Sequence, residues 1–210
     1  MRPIILIGGG GHCKSVIDAA LGSGRRIAGI IDVPEAVGQC VLGIPVIGTD
    51  DDIAKYADDH EFIVTVGFIA DCSVRRRLVA KVAAVGGRFA TVFAADAYVS
   101  PFASIGDGTV VLHKALVNAD ARIGMNCIVN TGAIIEHDVV VLDLCHISTG
   151  ARINGGCKLG QEVFVGSGSV VNQCTDICNG AIIASSSLVN RHIAEPGIYA
   201  GVPVHKIEKK

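Results

Sequence analysis

The sequence has little charge and no marked excess of either sign. Only 18% of its 210 residues are Asp, Glu, Lys or Arg, and the formal net charge is −2. Proteins that bind nucleic acid or another strongly charged surface usually carry a clear excess of one sign. The composition therefore gives no indication of a nucleic-acid partner.

Long apolar runs are also missing, although 50% of the residues are hydrophobic. No run approaches the roughly 18 residues that a transmembrane helix requires. Met1-Arg2-Pro3 leads directly into an apolar run typical of a strand rather than of a signal sequence. We therefore expect a soluble, cytoplasmic protein with no membrane span.

A repeat of six residues organises the chain from Val99 to Val189. Every sixth residue is Ile, Leu or Val, and the position four residues after each is mostly small. The apolar anchors are Val99, Ile105, Val111, Val117, Ile123, Val129, Ile135, Val141, Ile147, Ile153, Leu159, Val165, Val171, Ile177, Ile183 and Val189. Neither a helix nor a strand has a period of six, whereas a parallel β-helix does, because three hexads close one triangular coil.

The residue directly after an anchor returns to the same place in the coil every eighteen residues, and two such sets of stacked positions, which we call columns, are rich in Gly or Asn. They read Gly106, Gly124, Leu142, Gly160, Cys178 and Asn118, Glu136, Asn154, Asn172, Asn190. Because Gly and Asn tolerate positive φ, we expect these columns to form the tight corners.

The cysteines fit the repeat better than they fit a metal site. Cys127, Cys145 and Cys157 fall on the small position, where a thiol packs as a compact apolar group. Cys174 and Cys178 are close in sequence, but no second pair or nearby histidine completes a tetrahedral zinc site. We predict packing roles for the first three cysteines and no metal.

Residues 1–95 follow a different pattern, in which short apolar runs alternate with helix candidates. The runs lie at 3–7, 27–31 and 62–66, and the helices at 14–21, from 50 onward and near 73–85. Such alternation is typical of a parallel sheet. We predict a fold of the α/β plus all-β class, with a small Rossmann-like βαβ domain at 1–95 and a parallel β-helix at 96–210.

The loop GGGGH at 8–12 follows the first predicted strand. Both the dinucleotide pattern and the Walker pattern require a glycine where Cys13 stands, so both fail at this residue. Free N–H groups at a helix N-terminus still favour an anionic ligand such as a diphosphate. Asp32, at the end of the second strand, can accept hydrogen bonds from hydroxyls. The alternative is a tight turn with a solvated Asp32.

His137 and His146 lie nine residues apart in the repeat, on neighbouring sides of adjoining turns. Asp138 follows the first of them. A histidine with a carboxylate partner beside a cleft is a candidate catalytic group.

The whole chain resembles the NeuD/PglD family of bacterial sugar O- and N-acetyltransferases. The resemblance depends on the GGGGH loop, NTGAIIEHD at 130–138 and CHIS at 145–148. It implies a left-handed β-helix, a homotrimer, and acetyl-CoA as co-substrate in a cleft between adjacent subunits. It also implies that residues 1–95 bind the acceptor, while 96–210 bind acetyl-CoA and form the trimer.

The resemblance assigns roles to single residues. His137 matches the general base, and Asp138 matches the acidic neighbour that orients it. The implied acetyl-CoA contacts are His146, Gly155, Ser167, Ser185, Pro203 and Lys206. The implied acceptor contacts are Gly10, Gly11, His12, Asp32, Val33, Gly67 and Asn130.

The predicted function is transfer of acetyl to an amine or a hydroxyl of a sugar, either a nucleotide-linked amino sugar or sialic acid. The alternative is a non-catalytic trimeric scaffold or a nucleotide-sugar binding protein. A relation to γ-carbonic anhydrases would need three metal-binding histidines, which the spacing of His137 and His146 does not supply. Cys13 and the short first domain disfavour a nucleotide-sugar dehydrogenase or epimerase.

Overall fold

The computed structural model describes residues 1–208 as an α/β domain followed by a left-handed parallel β-helix, which confirms the predicted fold class. The elements of the α/β domain are β1 Ile4–Ile7, α1 Gly11–Gly22, β2 Ile27–Ile31, a 3-10 turn Pro34–Ala36, β3 Cys40–Val41, β4 Ile44–Gly48, a 3-10 turn Asp50–Asp52, α2 Ile53–Tyr56, β5 Glu61–Val64, α3 Ser73–Ala84 and β6 Arg88–Phe89. The sheet order is β3-β4-β2-β1-β5-β6, and only β3 pairs antiparallel. No helix within this described part is long and apolar enough to cross a membrane.

The centre of this domain is β1, which pairs with β2 and β5. All four of its residues are buried, as expected for a parallel strand covered on both faces. The helix α1 packs through Val16 and Ile17 into a cluster that also contains Val110 and Ile128 of the β-helix. This packing holds the glycine loop, at the start of α1, close to the β-helix.

The β-helix has three sides built from short parallel strands, which we call sides 1, 2 and 3. Side 1 contains Val92–Phe93, Val110–Val111, Ile128–Val129, His146–Ile147, Phe164–Val165 and Ala181–Ile183. Side 2 contains Tyr98–Val99, Leu116–Val117, Ile134–Ile135, Arg152–Ile153, Val170–Val171 and Leu188–Val189. Side 3 contains Ser104–Ile105, Arg122–Ile123, Val140–Val141, Lys158–Leu159 and Asp176–Ile177. A C-terminal hairpin, Gly197–Gly201 with Val204–Ile207, extends side 1.

The apolar anchors and the small residues four positions later form the core of the β-helix, as predicted. Five side chains at the small position donate hydrogen bonds to backbone carbonyls fifteen residues further on: Thr109, Cys127, Cys145, Cys157 and Ser169. Thr109 Oγ1 lies 2.8 Å from the carbonyl oxygen of Gly124, and Cys145 Sγ lies 2.9 Å from that of Gly160. Cys127, Cys145 and Cys157 are buried free thiols, so their predicted packing role is confirmed.

The predicted location of positive φ at the corners is wrong. Positive φ occurs three residues after each anchor from Ile105 to Ile183, not directly after it. The non-glycine residues at this position are Lys114, Asp120, Asn126, Asp138, Leu144, Glu162, Cys174 and Ser186. Glycine occupies the predicted column because no side chain fits there. A Cβ on Gly160, for example, would stand 2.6 Å from the backbone nitrogen of Asn179 in the next coil.

Arg75 of α3 joins the two domains. Its guanidinium is fully buried and donates only to backbone carbonyls. Nη1 lies 2.6 Å from the oxygen of Val64 and 2.9 Å from that of Val66, while Nη2 lies 2.8 Å from the oxygen of Asn126 in the β-helix. Burial lowers the pKa of Arg75 to about 10, which still leaves it charged at neutral pH.

The two roles of glycine in the repeat can be separated by mutation. Gly160→Ala should lower the free energy of unfolding by about 1–3 kcal/mol, because the added methyl overlaps the next coil. Gly180, at φ +66° with open space around it, is the matched control, and Gly180→Asn should be close to neutral. Denaturant unfolding of both variants measures the difference. Equal destabilisation would contradict the spatial role of Gly160.

Candidate active site

The glycine loop leaves two residues open to a ligand. Gly8 has φ +102°, and a Cβ there would stand 2.5 Å from Cγ2 of Val66. Gly10 caps α1 with no side-chain hydrogen bond, and neither Gly10 nor Gly11 has a neighbour within 4 Å of its Cβ position. The first N–H groups of α1 therefore form an accessible site for an anion.

Asp32 stabilises this loop through hydrogen bonds to its carboxylate. Its Oδ2 accepts a hydrogen bond of 2.8 Å from the Gly9 N–H, and its Oδ1 accepts one of 2.8 Å from the Val33 N–H. Each carboxylate oxygen keeps a further lone pair, so a ligand hydroxyl can still donate to Asp32. The Val33 side chain is exposed beside it.

A cleft of about 330 Å³ lies at the carboxyl ends of the parallel strands. Asp32 and Val33 line it, together with Arg77 and Lys81 of α3. Sequence reasoning missed both cations, although their spacing of four places them on one face of a helix. Lys81 Nζ lies 3.6 Å from carboxylate oxygens of Asp50 and Asp51.

His12 turns from the loop into the seam between the domains. Its ring centroid lies 6.3 Å from that of His146, and Gly67 lies against both rings. Burial lowers the pKa of His12 to about 3. Within residues 1–208 its Nε2 has no hydrogen-bond partner, so this buried nitrogen is available to a ligand atom or a water.

His146 lies on side 1 and is almost fully buried. Its Nδ1 is 2.9 Å from the carbonyl oxygen of Phe68, and its Nε2 is 3.2 Å from Nδ2 of Asn130. The rings of Phe68 and Phe164 pack edge-on against the imidazole. Burial lowers the pKa of His146 to about 4. This histidine is therefore neutral at physiological pH.

His137 lies at the corner between sides 2 and 3, which we call corner 2/3. Its side chain is 63% exposed, and Nδ1 lies 2.7 Å from Oδ2 of Asp138. This hydrogen bond raises the pKa of His137. Gly155 lies one coil further on, and a Cβ there would stand 2.7 Å from Cε1 of His137, so a side chain at this position would force the imidazole to move.

The remaining candidates lie on other parts of the β-helix. Ser167 and Ser185 occupy the corner between sides 1 and 2, which we call corner 1/2, and Ser167 Oγ lies 2.9 Å from Oγ of Ser148. Pro203 and Lys206 are in the C-terminal hairpin. Lys206 Nζ is paired with Glu195 Oε2 at 2.8 Å.

One exposed thiol also lies at corner 2/3. Asp138, Gly156 and Cys174 follow one another at intervals of eighteen residues, and the Sγ of Cys174 lies 3.3 Å from the Cβ position of Gly156. Cys174 is exposed, whereas Cys157 nearby is buried. It is thus the thiol to test in any mechanism with a covalent intermediate.

The candidates fall into two groups that one chain does not bring together. His137, Asp138 and Gly155 are at corner 2/3, whereas Asn130, Ser167 and Ser185 are at corner 1/2. These two corners flank side 2 and lie at its opposite edges.

Comparison with known proteins identifies the family. The family model of the PglD N-terminal domain matches residues 3–82. The acetyltransferase domain of PglB from Neisseria gonorrhoeae is 31% identical, with a TM-score of 0.90 over 99% of this chain and 100% of that one. A further structure of that domain contains acetyl coenzyme A. The chain belongs to the NeuD/PglD-type sugar acetyltransferases.

Two further relatives differ in how much of their length is matched. A histidine-to-asparagine variant of perosamine N-acetyltransferase from Caulobacter crescentus, in complex with CoA and GDP-perosamine, is 28% identical with a TM-score of 0.92, over 100% of this chain and 98% of that one. The uncharacterized protein L142 of Acanthamoeba polyphaga mimivirus is 37% identical over 108 residues. That match spans 51% of this chain and only 21% of the viral protein.

The two buried histidines predict a loss of stability in acid. Both have a folded-state pKa below the ordinary value of 6.5, so the unfolded chain binds more protons as the pH falls below 6.5. Between about pH 6 and its own folded-state pKa, about 3 for His12 and about 4 for His146, each should lower the free energy of unfolding by about 1.4 kcal/mol per pH unit. Denaturant titrations between pH 6 and 5 measure how steeply the free energy of unfolding falls with pH. In His146→Phe this slope should be smaller than in wild type by the contribution of about one proton. Equal slopes would contradict a neutral, buried His146.

Proposed function

We propose that this chain transfers acetyl from acetyl-CoA directly to the amine of a nucleotide-linked amino sugar, with His137 as general base. The observation that carries the proposal is the exposed His137–Asp138 pair, held at 2.7 Å on a β-helix whose partner domain offers an open glycine loop. The CoA and GDP-perosamine in the structure of the Caulobacter enzyme support both substrate classes.

The chemistry follows from the geometry at corner 2/3. Asp138 holds the Nδ1–H of His137, which leaves Nε2 as the atom that takes the proton from the attacking amine. The same carboxylate stabilises the imidazolium that forms, and this imidazolium returns its proton to the CoA thiolate released when the carbon–sulfur bond breaks. Among the described residues, the Gly155 N–H has no backbone partner, so it can donate to the oxygen of the thioester as negative charge develops there.

The acceptor binds across the α/β domain. The N–H groups of Gly10 and Gly11 and the start of α1 hold the diphosphate. Arg77 and Lys81 supply two cations to the neighbouring cleft, where Asp50 and Asp51 pair with Lys81, and Asp32 and Val33 also line it. His12 and Gly67 place the sugar at the seam that leads to Asn130.

A second copy of the chain completes the site. Side 2 presents outward a largely apolar row, which consists of Tyr98, Leu116, Ile134, Val170 and Leu188 and is interrupted by Arg152. Packing three such sides around a threefold axis buries this row and brings corner 1/2 of one copy against corner 2/3 of the next. Acetyl-CoA then lies in that cleft, with Ser167 and Ser185 on one wall and Gly155 on the other. Pro203 and Lys206 contact its nucleotide end.

The assay for this function measures release of free CoA thiol from acetyl-CoA with a panel of acceptors. UDP-, GDP-, CMP- and dTDP-linked amino sugars test N-acetylation, and sialic acids test O-acetylation.

His137→Ala should lower kcat about a hundred- to ten-thousand-fold with an unchanged fold. Cys174→Ala should retain activity if transfer is direct. Near wild-type turnover of His137→Ala between pH 6 and 9 would exclude His137 as the base, and binding of a nucleotide sugar without any turnover would indicate a binding protein.

Mixed assemblies test whether the site is shared between copies. Gly10→Val should block the approach of a diphosphate, and His137→Ala removes the base, so each variant alone should be inactive. Assembled together at equal amounts, the two should recover up to about a quarter of the wild-type activity, because a site formed by the intact loop of one copy and the intact His137 of the next is complete. No recovery would contradict a site shared between copies, and the mass of a monomer by light scattering would contradict the trimer.

A further inference from the structure

The hydrogen bonds of His146 determine which of its nitrogens carries the proton. A carbonyl oxygen can only accept, so the contact with Phe68 places the proton on Nδ1. Nε2 is then the acceptor, and Asn130 Nδ2 donates to it at 3.2 Å. Both ring nitrogens are therefore occupied within a single chain, and neither is free to donate to a bound ligand.

The same network determines the orientation of the Asn130 amide. Its Oδ1 accepts a hydrogen bond of 2.8 Å from the Thr131 N–H, which assigns oxygen and nitrogen independently of His146. One Nδ2–H goes to His146, and the other has no partner among residues 1–208. Asn130 is partly exposed, at the first position of corner 1/2. It thus presents one oriented N–H donor at the corner that the proposed function places opposite His137.

We propose that His146 is a positioning residue of the acetyl transfer: it holds Asn130 so that the second amide N–H donates to an oxygen of the bound reactants. This oxygen belongs either to the thioester carbonyl of acetyl-CoA or to a hydroxyl of the sugar. The proposal rests on the acetyltransferase function proposed above. It replaces the direct contact between His146 and acetyl-CoA that the family resemblance implies.

The α/β domain supplies the other end of this network. Phe68 belongs to the segment after β5, where Arg75 binds the carbonyl of Val66 two residues earlier. The rings of Phe68 and Phe164 cover the imidazole and exclude water from it. Arg75 and His12 are the charged or titratable groups of the α/β domain that act on or lie close to His146, and Cys145 precedes it in the β-helix. The acceptor-binding domain thereby sets the orientation of a donor on the β-helix.

The first test needs no substrate. In 15N-labelled wild-type protein, the chemical shifts of the two His146 ring nitrogens report the tautomer, with Asn130→Ala used to assign the signals. We expect the neutral form with the proton on Nδ1 throughout pH 5.5–8. A proton on Nε2, or a charged ring at pH 7, would overturn the proposal.

The second test is a double-mutant cycle in the acetyl-transfer assay. His146→Phe keeps an aromatic ring but loses both hydrogen bonds, and Asn130→Ala removes the donor. Each should lower kcat/KM for the sugar about ten- to a hundredfold, and the double variant should be no worse than the more damaging single one. Losses that multiply in the double variant, or wild-type kcat/KM in His146→Phe, would overturn the proposal. A fall in kcat at constant KM in Asn130→Ala identifies the thioester as the acceptor of the bond, whereas a raised KM for the sugar identifies the hydroxyl.

Two further variants separate this role from a general effect on folding. His146→Gln retains a donor and an acceptor, so it should recover part of the activity that His146→Phe loses. Phe164→Leu disturbs the packing of the ring but neither hydrogen bond, and kcat should stay within about threefold of wild type. Equal losses in His146→Gln and His146→Phe would overturn the proposal. An inactive wild type would contradict the proposed function, while the tautomer measurement would still stand.

Discussion

The β-helix depends on one constraint, which is that a narrow triangular core must be filled by one large and one small side chain in every six residues. Because each coil uses eighteen residues, equivalent positions of successive coils stack directly on one another. This stacking places Gly155 against the imidazole of His137 and aligns Asn130 with Ser148 one coil away. The candidate site is therefore built along the corners, where side chains are not needed for the core and the backbone turns outward.

The contact between the β-helix and the α/β domain depends on a second constraint, which is that the buried Arg75 must find hydrogen-bond acceptors. A buried guanidinium without a carboxylate partner is tolerated in Arg75 because backbone carbonyls of both domains accept its hydrogen bonds. The same seam contains two neutral histidines and the apolar cluster around α1. The glycine loop is thereby held on side 1, while His137 projects from the far edge of side 2. A single chain consequently carries the glycine loop and the proposed base, His137, on different parts of its surface.

Several features could be predicted from the sequence because they depend on local pattern. The hexads predicted the core, and the adjacent His137 and Asp138 predicted a pair that needs no tertiary contact to form. The corner columns were misread because glycine serves two purposes, and composition alone does not show whether a position needs positive φ or lacks room for a Cβ. Arg77 was missed because a cation on an exposed helix face looks solvated until the cleft beside it is known.

The sequence by itself determined the β-helix, the stretch of chain that it occupies and the order of the two domains. A period of six over sixteen anchors is compatible with no other regular backbone. Only the tertiary structure decided the environments of the histidines. His12 and His146 are far apart in the chain, and their low pKa values arise because the docking of the two domains removes both from water. His137, a similar residue in a similar repeat, keeps its exposure because its corner faces away from that seam.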